Sequence, residues 1–300
     1  MKIRIGTRGS RLALWQANKT KMLLEDLGVE VEIIVIKTQG DKIQHLSFDK
    51  MEGKGFFTKE IEEKLLNNEI DLAVHSHKDL ETEEPEGLKI VAVSSRANPS
   101  DILLIRNECI DPEKRFGLSE KAKVGTSSAR RVSQLKFFRP DLELSELRGN
   151  VPTRIEKLRE GKYDAIMLAR AGVERLELDV TDLHLEILEP HEFVPAPAQG
   201  VLAWQARTND QETISIVSQL NDSNVSERIN VERGILKACE GGCQLPLGVY
   251  CTNDHEFKLW VSYAQDLNSP VNRFHLTNTN PDELISEALQ IIKEEQKKKF

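Results

Sequence analysis

Two stretches of this 300-residue chain are built alike and suit the binding of anions. Ile5-Gly6-Thr7-Arg8-Gly9-Ser10-Arg11 and Val124-Gly125-Thr126-Ser127-Ser128-Ala129-Arg130-Arg131 each run from an apolar strand-like segment, through small and hydroxylic residues, into a helix-like segment. Such a turn aims backbone N–H groups and hydroxyls at one point, with the positive end of a helix behind them. The arginines add forked donors that match a carboxylate or phosphate. An ordinary capped helix with solvated arginines is the other reading of either junction, and the pairing of two weakens it. Leu147-Arg148-Gly149-Asn150-Val151-Pro152-Thr153-Arg154 is a third strand-to-helix passage, and Arg148 and Arg154 extend the same positive surface. Alone it reads as a surface turn. Together the three suit a ligand with several carboxylates.

Leu72-Ala73-Val74-His75-Ser76-His77-Lys78-Asp79 is an apolar strand that emerges into titratable groups, at the strand end where open α/β folds place their sites. His75-x-His77 offers only two metal ligands with no partner cluster near. Asp79 beside Lys78 is the better catalytic pair, because a carboxylate held near a developing cation stabilises it and relays protons. Lys54 lies in the glycine-flanked Gly53-Lys54-Gly55, either a loop that closes over a site or plain surface. In Cys239-Glu240-Gly241-Gly242-Cys243-Gln244-Leu245-Pro246 a thiol follows two glycines on a tight turn. Cys243 is thus an accessible nucleophile or attachment point. Two alternatives stay open: a structural thiol, and a zinc ligand set with Cys239, Cys251 and His255.

The elements that must carry these groups alternate. Strand signals at Lys2–Thr7, Val31–Thr38 (a buried strand), Leu72–His75 and Lys89–Ser94 are interleaved with helix signals at Leu12–Leu27 and from an N-cap at Thr58 through Asn68. That alternation predicts parallel βαβ units. After the break at Arg96–Ser100 a second such unit has strands at Ile102–Ile105, Lys123–Gly125, Leu142–Leu147 and Ala165–Ala169, and helices at Ser128–Phe138 and Val151–Glu160. Pro190, Pro195 and Pro197 mark a second break, followed by a helix-like apolar segment, Ala198–Gln205. A helix to Ala238, strands at Leu247–Thr252, Lys258–Ala264 and Asn272–Leu276, and a helix from Pro281 complete the chain.

The expected fold is α/β: two periplasmic-binding-protein-like lobes joined by a hinge, with a smaller C-terminal α+β domain. Its domains are residues 1–97 with 196–217, residues 98–195, and residues 218–300, the last carrying the cysteine loop. Composition agrees with a globular chain, at 39% hydrophobic and 30% charged residues. No apolar run approaches the roughly 20 residues that span a bilayer, and the start of the chain lacks a signal-peptide pattern. A cytoplasmic protein with reduced thiols is expected, with no membrane partner. The net charge of −8 argues against nucleic acid as a partner, yet leaves room for local basic clusters.

Taken in order, the motifs resemble the porphobilinogen deaminase family over nearly the whole chain. They are Thr7-Arg8-Gly9-Ser10-Arg11-Leu12-Ala13-Leu14-Trp15-Gln16-Ala17, Lys54-Gly55-Phe56-Phe57, His75 to Asp79, Gly125 to Arg131, Leu147 to Val151, and Gly241-Gly242-Cys243. The resemblance implies a three-domain enzyme that condenses four porphobilinogen molecules head to tail, releases ammonia and hydrolyses off hydroxymethylbilane. It implies a dipyrromethane cofactor joined to Cys243 by a thioether. Asp79 becomes the catalytic carboxylate facing the cation left when ammonia departs, with Lys78 beside it. Ser10, Lys78, Asp79, Thr126, Ser127, Ser128, Arg130, Arg131 and Arg148 become cofactor contacts. Arg8, Arg11, Arg148, Arg154, Arg175, Gln199 and Lys54 become substrate contacts, and no metal is implied. We expect a monomer with a small-molecule partner. The chain departs from the family where many relatives have a glycine before Gln199 and an acidic residue near Gln205, at Arg11, and at His77. A non-enzymatic dicarboxylate-binding module and a zinc enzyme remain as rival classes.

Overall fold

The computed structural model describes residues 1–38, 58–239 and 245–297. The chain opens with β1 (Lys2–Arg8), α1 (Arg11–Asp26), β2 (Glu30–Ile36), α2 (Lys59–Leu66), β3 (Leu72–Ser76) and β4 (Leu88–Val93). It then builds β5 (Asp101–Ile105), β6 (Lys123–Gly125), α3 (Ala129–Phe138), β7 (Glu143–Ser145), α4 (Val151–Arg159), β8 (Ala165–Ala169), α5 (Arg170–Arg175) and β9 (His184–Leu188). Next come β10 (Leu202–Arg207), α6 (Gln211–Val217), α7 (Ser223–Ala238), β11 (Leu247–Asn253), β12 (Phe257–Tyr263), β13 (Asn272–Asn278) and α8 (Pro281–Lys297). Two compact units result, Met1–Ala97 with Gly200–Glu227, and Asn98–Gln199 with Arg228–Phe300.

The first unit holds a five-stranded sheet in the order β2-β1-β3-β10-β4. β1 runs parallel to β2 and β3, but β10 is antiparallel to both β3 and β4. The sheet is therefore mixed, where alternation alone predicted a parallel one. The helix-like reading of Ala198–Gln205 is corrected by the same strand. All six residues of β10 are buried because it lies inside the sheet, so neither face shows the period-2 pattern of a strand. Its Trp204 joins Ile3, Ile5, Leu24, Leu72 and Val74 in one apolar cluster, and the indole N–H donates to Thr20 Oγ1 at 2.8 Å. Val31–Thr38, expected as a buried strand, proves to be the edge strand β2, with Glu30, Glu32 and Val35 exposed. Thr58 precedes α2 as expected but makes no capping hydrogen bond; its hydroxyl instead donates to Glu62 Oε2 at 3.4 Å.

The second unit contains a five-stranded sheet, β7-β6-β8-β5-β9, and a three-stranded antiparallel sheet, β11-β12-β13. In the larger sheet β6 is parallel to β7 and β8, while β5 is antiparallel to β8 and β9. The smaller sheet has its own core, in which Val249, Leu259 and Val261 meet Val231 and Ile235 of α7 and Leu284, Ala288 and Ile292 of α8. The two sheets of this unit are locked together near Val194. A Cβ on Gly248 of β11 would stand 2.5 Å from the Val194 carbonyl oxygen, so only glycine lets the backbones approach. Val249 N–H donates to Pro195 O at 3.0 Å beside it.

Candidate functional site

In the first unit, the residues singled out from the sequence converge on one edge of the sheet. β1 and β3 are parallel neighbours with Gly6 opposite Ala73, so both leave the sheet at the same edge. The turn after β1 carries Arg8 and Ser10; the turn after β3, a single 3-10 turn His77–Asp79, carries Lys78 and Asp79. Ser10 caps α1, its hydroxyl accepting from Ala13 N–H at 3.2 Å, and the exposed Arg11 opens the helix. A buried side chain joins the two turns: Gln16 Nε2 of α1 donates to Ser76 Oγ at 2.8 Å. The His77 N–H donates to Val201 O at 3.0 Å, which fastens the second turn to the start of β10. Asp79 is exposed at the tip of that turn.

His75 does not behave as a metal ligand. It is buried in β3, and its Nε2 lies 3.2 Å from Gln205 Oε1. Gln205 Nε2 in turn donates to Glu62 Oε1 at 3.3 Å. Burial lowers the imidazole pKa to about 4 against the opposing influence of the Gln205 hydrogen bond, so the ring is neutral. Glu62, half-buried, is raised chiefly by burial, with hydrogen bonds from Gln205 and Thr58 opposing.

In the second unit the parallel strands β6, β7 and β8 end on one edge, and the segments that follow them carry the remaining groups. After β6, Thr126 N–H donates to Ser145 O, and Ser127 Oγ both donates to Leu147 O at 2.8 Å and accepts from Leu147 N–H at 3.1 Å. Ser127 thus clips the second strand-to-helix junction to the third. Ser128 occupies the N-cap of α3 without a side-chain capping bond. After β7, Asn150 caps α4 by accepting from Thr153 N–H, and Arg154 Nε donates to Gly149 O at 2.7 Å. Arg148 Nε donates to Glu146 Oε1 at 2.9 Å. After β8, α5 ends on Arg175, whose guanidinium burial pushes down to about 10. Desolvation of that kind is relieved by an anion.

Arg130 and Arg131 are both buried, and both meet a residue that motif reading passed over. Asp101, at the start of β5, accepts from Arg130 Nη1 at 2.6 Å and from Arg131 Nη2 at 2.8 Å. Gln199 joins the same carboxylate, its Nε2 donating to Asp101 Oδ1 at 3.0 Å and to Pro99 O at 2.7 Å. The preceding residue, Ala198, has φ of 60°, a left-handed backbone that glycine adopts without strain.

A family model described as porphobilinogen deaminase, dipyromethane cofactor binding domain, matches residues 3–215. The chain belongs to the porphobilinogen deaminase family. Curated relatives agree along most of its length. The porphobilinogen deaminase of Trichlorobacter lovleyi is 47% identical over 253 residues, covering 84% of this chain and 79% of the relative. That of Maridesulfovibrio salexigens is 42% identical over 286 residues, covering 94% of this chain and 90% of the relative. Methanocella arvoryzae has a probable porphobilinogen deaminase 48% identical over 83% of this chain and 80% of its own. Among solved structures, the periplasmic VFT2 domain of BvgS from Bordetella pertussis is 13% identical with a TM-score of 0.43, over 73% of this chain and 86% of that one.

Cys243 and Lys54 lie outside the described residues. Of the other cysteines, burial raises Cys239 to about 11. Burial and the nearby Asp164 raise Cys109 to about 11, and Cys251 is sealed in the core of the small sheet. Neither Cys109 nor Cys239 is a ready thiolate at neutral pH. Among the described residues no three or more His, Cys, Asp or Glu side chains gather as a metal site, and no helix is long and apolar enough to cross a membrane.

Proposed function

We propose that the chain is a deaminating transferase that condenses four porphobilinogen molecules head to tail, releases ammonia and hydrolyses off hydroxymethylbilane. The observation that carries this reading is the arginine-bearing edge of the second sheet, in a member of this family. Three successive strand ends there deliver Thr126 to Arg131, Arg148 to Arg154, and Arg175. Porphobilinogen bears an acetate and a propionate, so a growing chain accumulates carboxylates, and forked donors suit them. Arg8 and Arg11 add cations at the edge of the first sheet, with N–H groups at Ser10; Thr126, Ser127 and Ser128 offer the same on the second.

The residues also fit the family's dipyrromethane primer: one buried guanidinium donor, Arg130 Nε, has no hydrogen-bond partner among the described residues, and a carboxylate would supply one. When bound, the group supplies a nucleophilic pyrrole carbon to which the first substrate joins. Cys243 holds it through a thioether, and Ser10, Lys78, Thr126, Ser127, Ser128, Arg130, Arg131 and Arg148 bind its polar atoms. Arg154, Arg175, Gln199 and Lys54 bind the substrate's carboxylates. Asp79, exposed at the tip of its turn, holds a carboxylate against the positive charge that develops as ammonia leaves and against the pyrrole N–H. Lys78 is its neighbour on the same turn.

We further assign three domains, residues 1–97 with 196–217, 98–195 and 218–300, to a monomer working in the cytoplasm. The separate apolar core of the small sheet supports the third.

Intact-mass spectrometry of the purified chain tests the reading. The expected result is an added mass of two porphobilinogen-derived pyrroles, absent in Cys243→Ala. A chain that turns over porphobilinogen at full rate without added mass overturns it, and stoichiometric zinc would point to the zinc enzyme instead.

A further inference from the structure

Glu146 follows β7 directly, two residues before Arg148, and no motif led to it. Leu147 between them has no exposed surface and packs with Ile155, Leu158 and Ile166, while its two neighbours meet each other. Arg148 Nε donates to Glu146 Oε1 at 2.9 Å, and Nη2 donates to the same oxygen. Nε and Nη2 make up the edge of a guanidinium that grips a carboxylate with two parallel bonds. Glu146 therefore covers the edge of Arg148 that a ligand carboxylate needs. Both bonds fall on one oxygen, so a carboxylate that offers one oxygen to each donor is the better fit.

The backbone beneath the pair is fixed. Tyr163 OH donates to Glu146 O at 2.6 Å, and Ser127 Oγ bonds both the N–H and the carbonyl of Leu147. Lys157 Nζ donates to Arg148 O at 2.8 Å, and Arg154 Nε to Gly149 O at 2.7 Å. Every residue from Glu146 to Gly149 is thus pinned by a side chain from elsewhere in the second unit. The paired side chains are held far less firmly, since that of Glu146 is 52% exposed and that of Arg148 19%. An ion pair so open to water contributes little, because water takes up the carboxylate that leaves it. Asp101, by contrast, has no exposed surface and keeps Arg130 and Arg131 as lasting partners. Glu146 is a partner that can be displaced.

We propose that Glu146 is an internal stand-in for a ligand carboxylate: it occupies the forked edge of Arg148 in the unliganded protein and yields it when a carboxylate of a porphobilinogen-derived group arrives. The exchange breaks two charge-assisted bonds on Arg148 and forms two others, and the released Glu146 carboxylate passes into water. Binding at this position is weaker than the arginine alone would give, by the strength of the displaced pair. An arginine whose charge is never left bare suits a site that must let go of a product with many carboxylates. The proposal rests on the reading above in one respect, that Arg148 meets a ligand carboxylate.

Glu146→Gln keeps the shape of the side chain and removes its charge. Two measurements on full-length protein test it: thermal unfolding of the apo-protein and of the primer-bearing protein, and primer acquisition from porphobilinogen followed by intact mass. Glu146 supports only the unliganded state, so the gain in unfolding midpoint on acquiring primer should widen by about 1–3 °C in Glu146→Gln. An equal drop in both forms, as a plain structural ion pair would give, overturns the proposal. The porphobilinogen concentration that half-saturates acquisition should fall about two- to fivefold, with little change in the maximal rate.

Arg148→Gln should raise that concentration about tenfold or more, and adding Glu146→Gln to it should then change nothing. An improvement that persists without Arg148 means that Glu146 merely repels anions from a distance, and it overturns the proposal alone. Wild-type acquisition by Arg148→Gln removes the ligand role of Arg148, and the stand-in falls with it. Wild-type apo-protein that gains no pyrrole mass overturns the functional reading itself and the proposal together. The two unfolding midpoints of Glu146→Gln decide the matter even where Arg148→Gln fails to fold.

Discussion

His75 and Gln205 face each other across β3 and β10, with the imidazole Nε2 3.2 Å from the carboxamide oxygen. Because the oxygen only accepts, the ring is the neutral tautomer with its proton on Nε2. The pKa of about 4 lies below the ordinary value near 6.5, so the folded state binds fewer protons at this site than the unfolded chain. The site's contribution to stability is full above pH 6.5 and is lost as the pH falls toward 4, by roughly 3 kcal/mol in all. Urea unfolding at stepped pH should show that decline in the wild type and a shallower one in His75→Gln. Equal slopes would remove His75 as the source.

Gln205→Glu sharpens the same point. A carboxylate in place of the carboxamide stabilises the imidazolium, raises the folded His75 pKa toward the unfolded value and so shrinks the acid loss. Histidine ring resonances followed through a pH titration report the change directly.

Asp79→Asn should leave the unfolding midpoint within a degree or two, because the side chain is exposed and spans no buried contact. Porphobilinogen turnover should drop by about a hundredfold or more, the range for loss of a charge that stabilises a transition state. Turnover near the wild-type rate would take Asp79 out of its assigned role.

Glu232 of α7 is fully buried and accepts from Ala198 N–H at 2.7 Å and from Cys251 N–H at 2.9 Å. Replacement by methionine orphans two buried amides and should cost about 2–5 kcal/mol, whereas Glu232→Gln keeps one acceptor and should cost less than half as much. Calorimetric unfolding of the two variants decides between this bridge and simple space filling.

Gly149→Ala places a non-glycine residue at φ of 114° and a Cβ 2.8 Å from Thr153 Cγ2. A loss of about 1–3 kcal/mol is expected, together with weaker primer acquisition, since Arg154 Nε holds the Gly149 carbonyl.

The strand-to-turn junctions were legible because small residues, hydroxyls and arginines in a fixed spacing have few other uses. Thr7 to Ser10, His75 to Asp79, Thr126 to Arg131 and Arg148 to Arg154 all fall at strand ends. Asp101 was not legible. A lone aspartate after Pro99-Ser100 is unremarkable until α3 delivers two arginines from about thirty residues away. β10 failed for a related reason: a fully buried short strand and a buried helical turn have the same apolar composition, and only the partners β3 and β4 separate them. β9 went unread although Leu185 and Ile187 alternate with His184 and Glu186, because both leucine and isoleucine there stay partly exposed on an edge strand.

The place of β10 also dictates an order of events during synthesis. β4 touches its sheet only through β10, which is encoded after every strand of the second unit's larger sheet. A nascent chain that has passed residue 97 therefore still holds an unfinished sheet, with the slot for Trp204 open to water. N-terminal segments usually fold first as they emerge, but here the first sheet must wait for residue 207. Through that interval the growing polypeptide needs shelter from its neighbours, and a chain halted just short of β10 should be insoluble rather than half active.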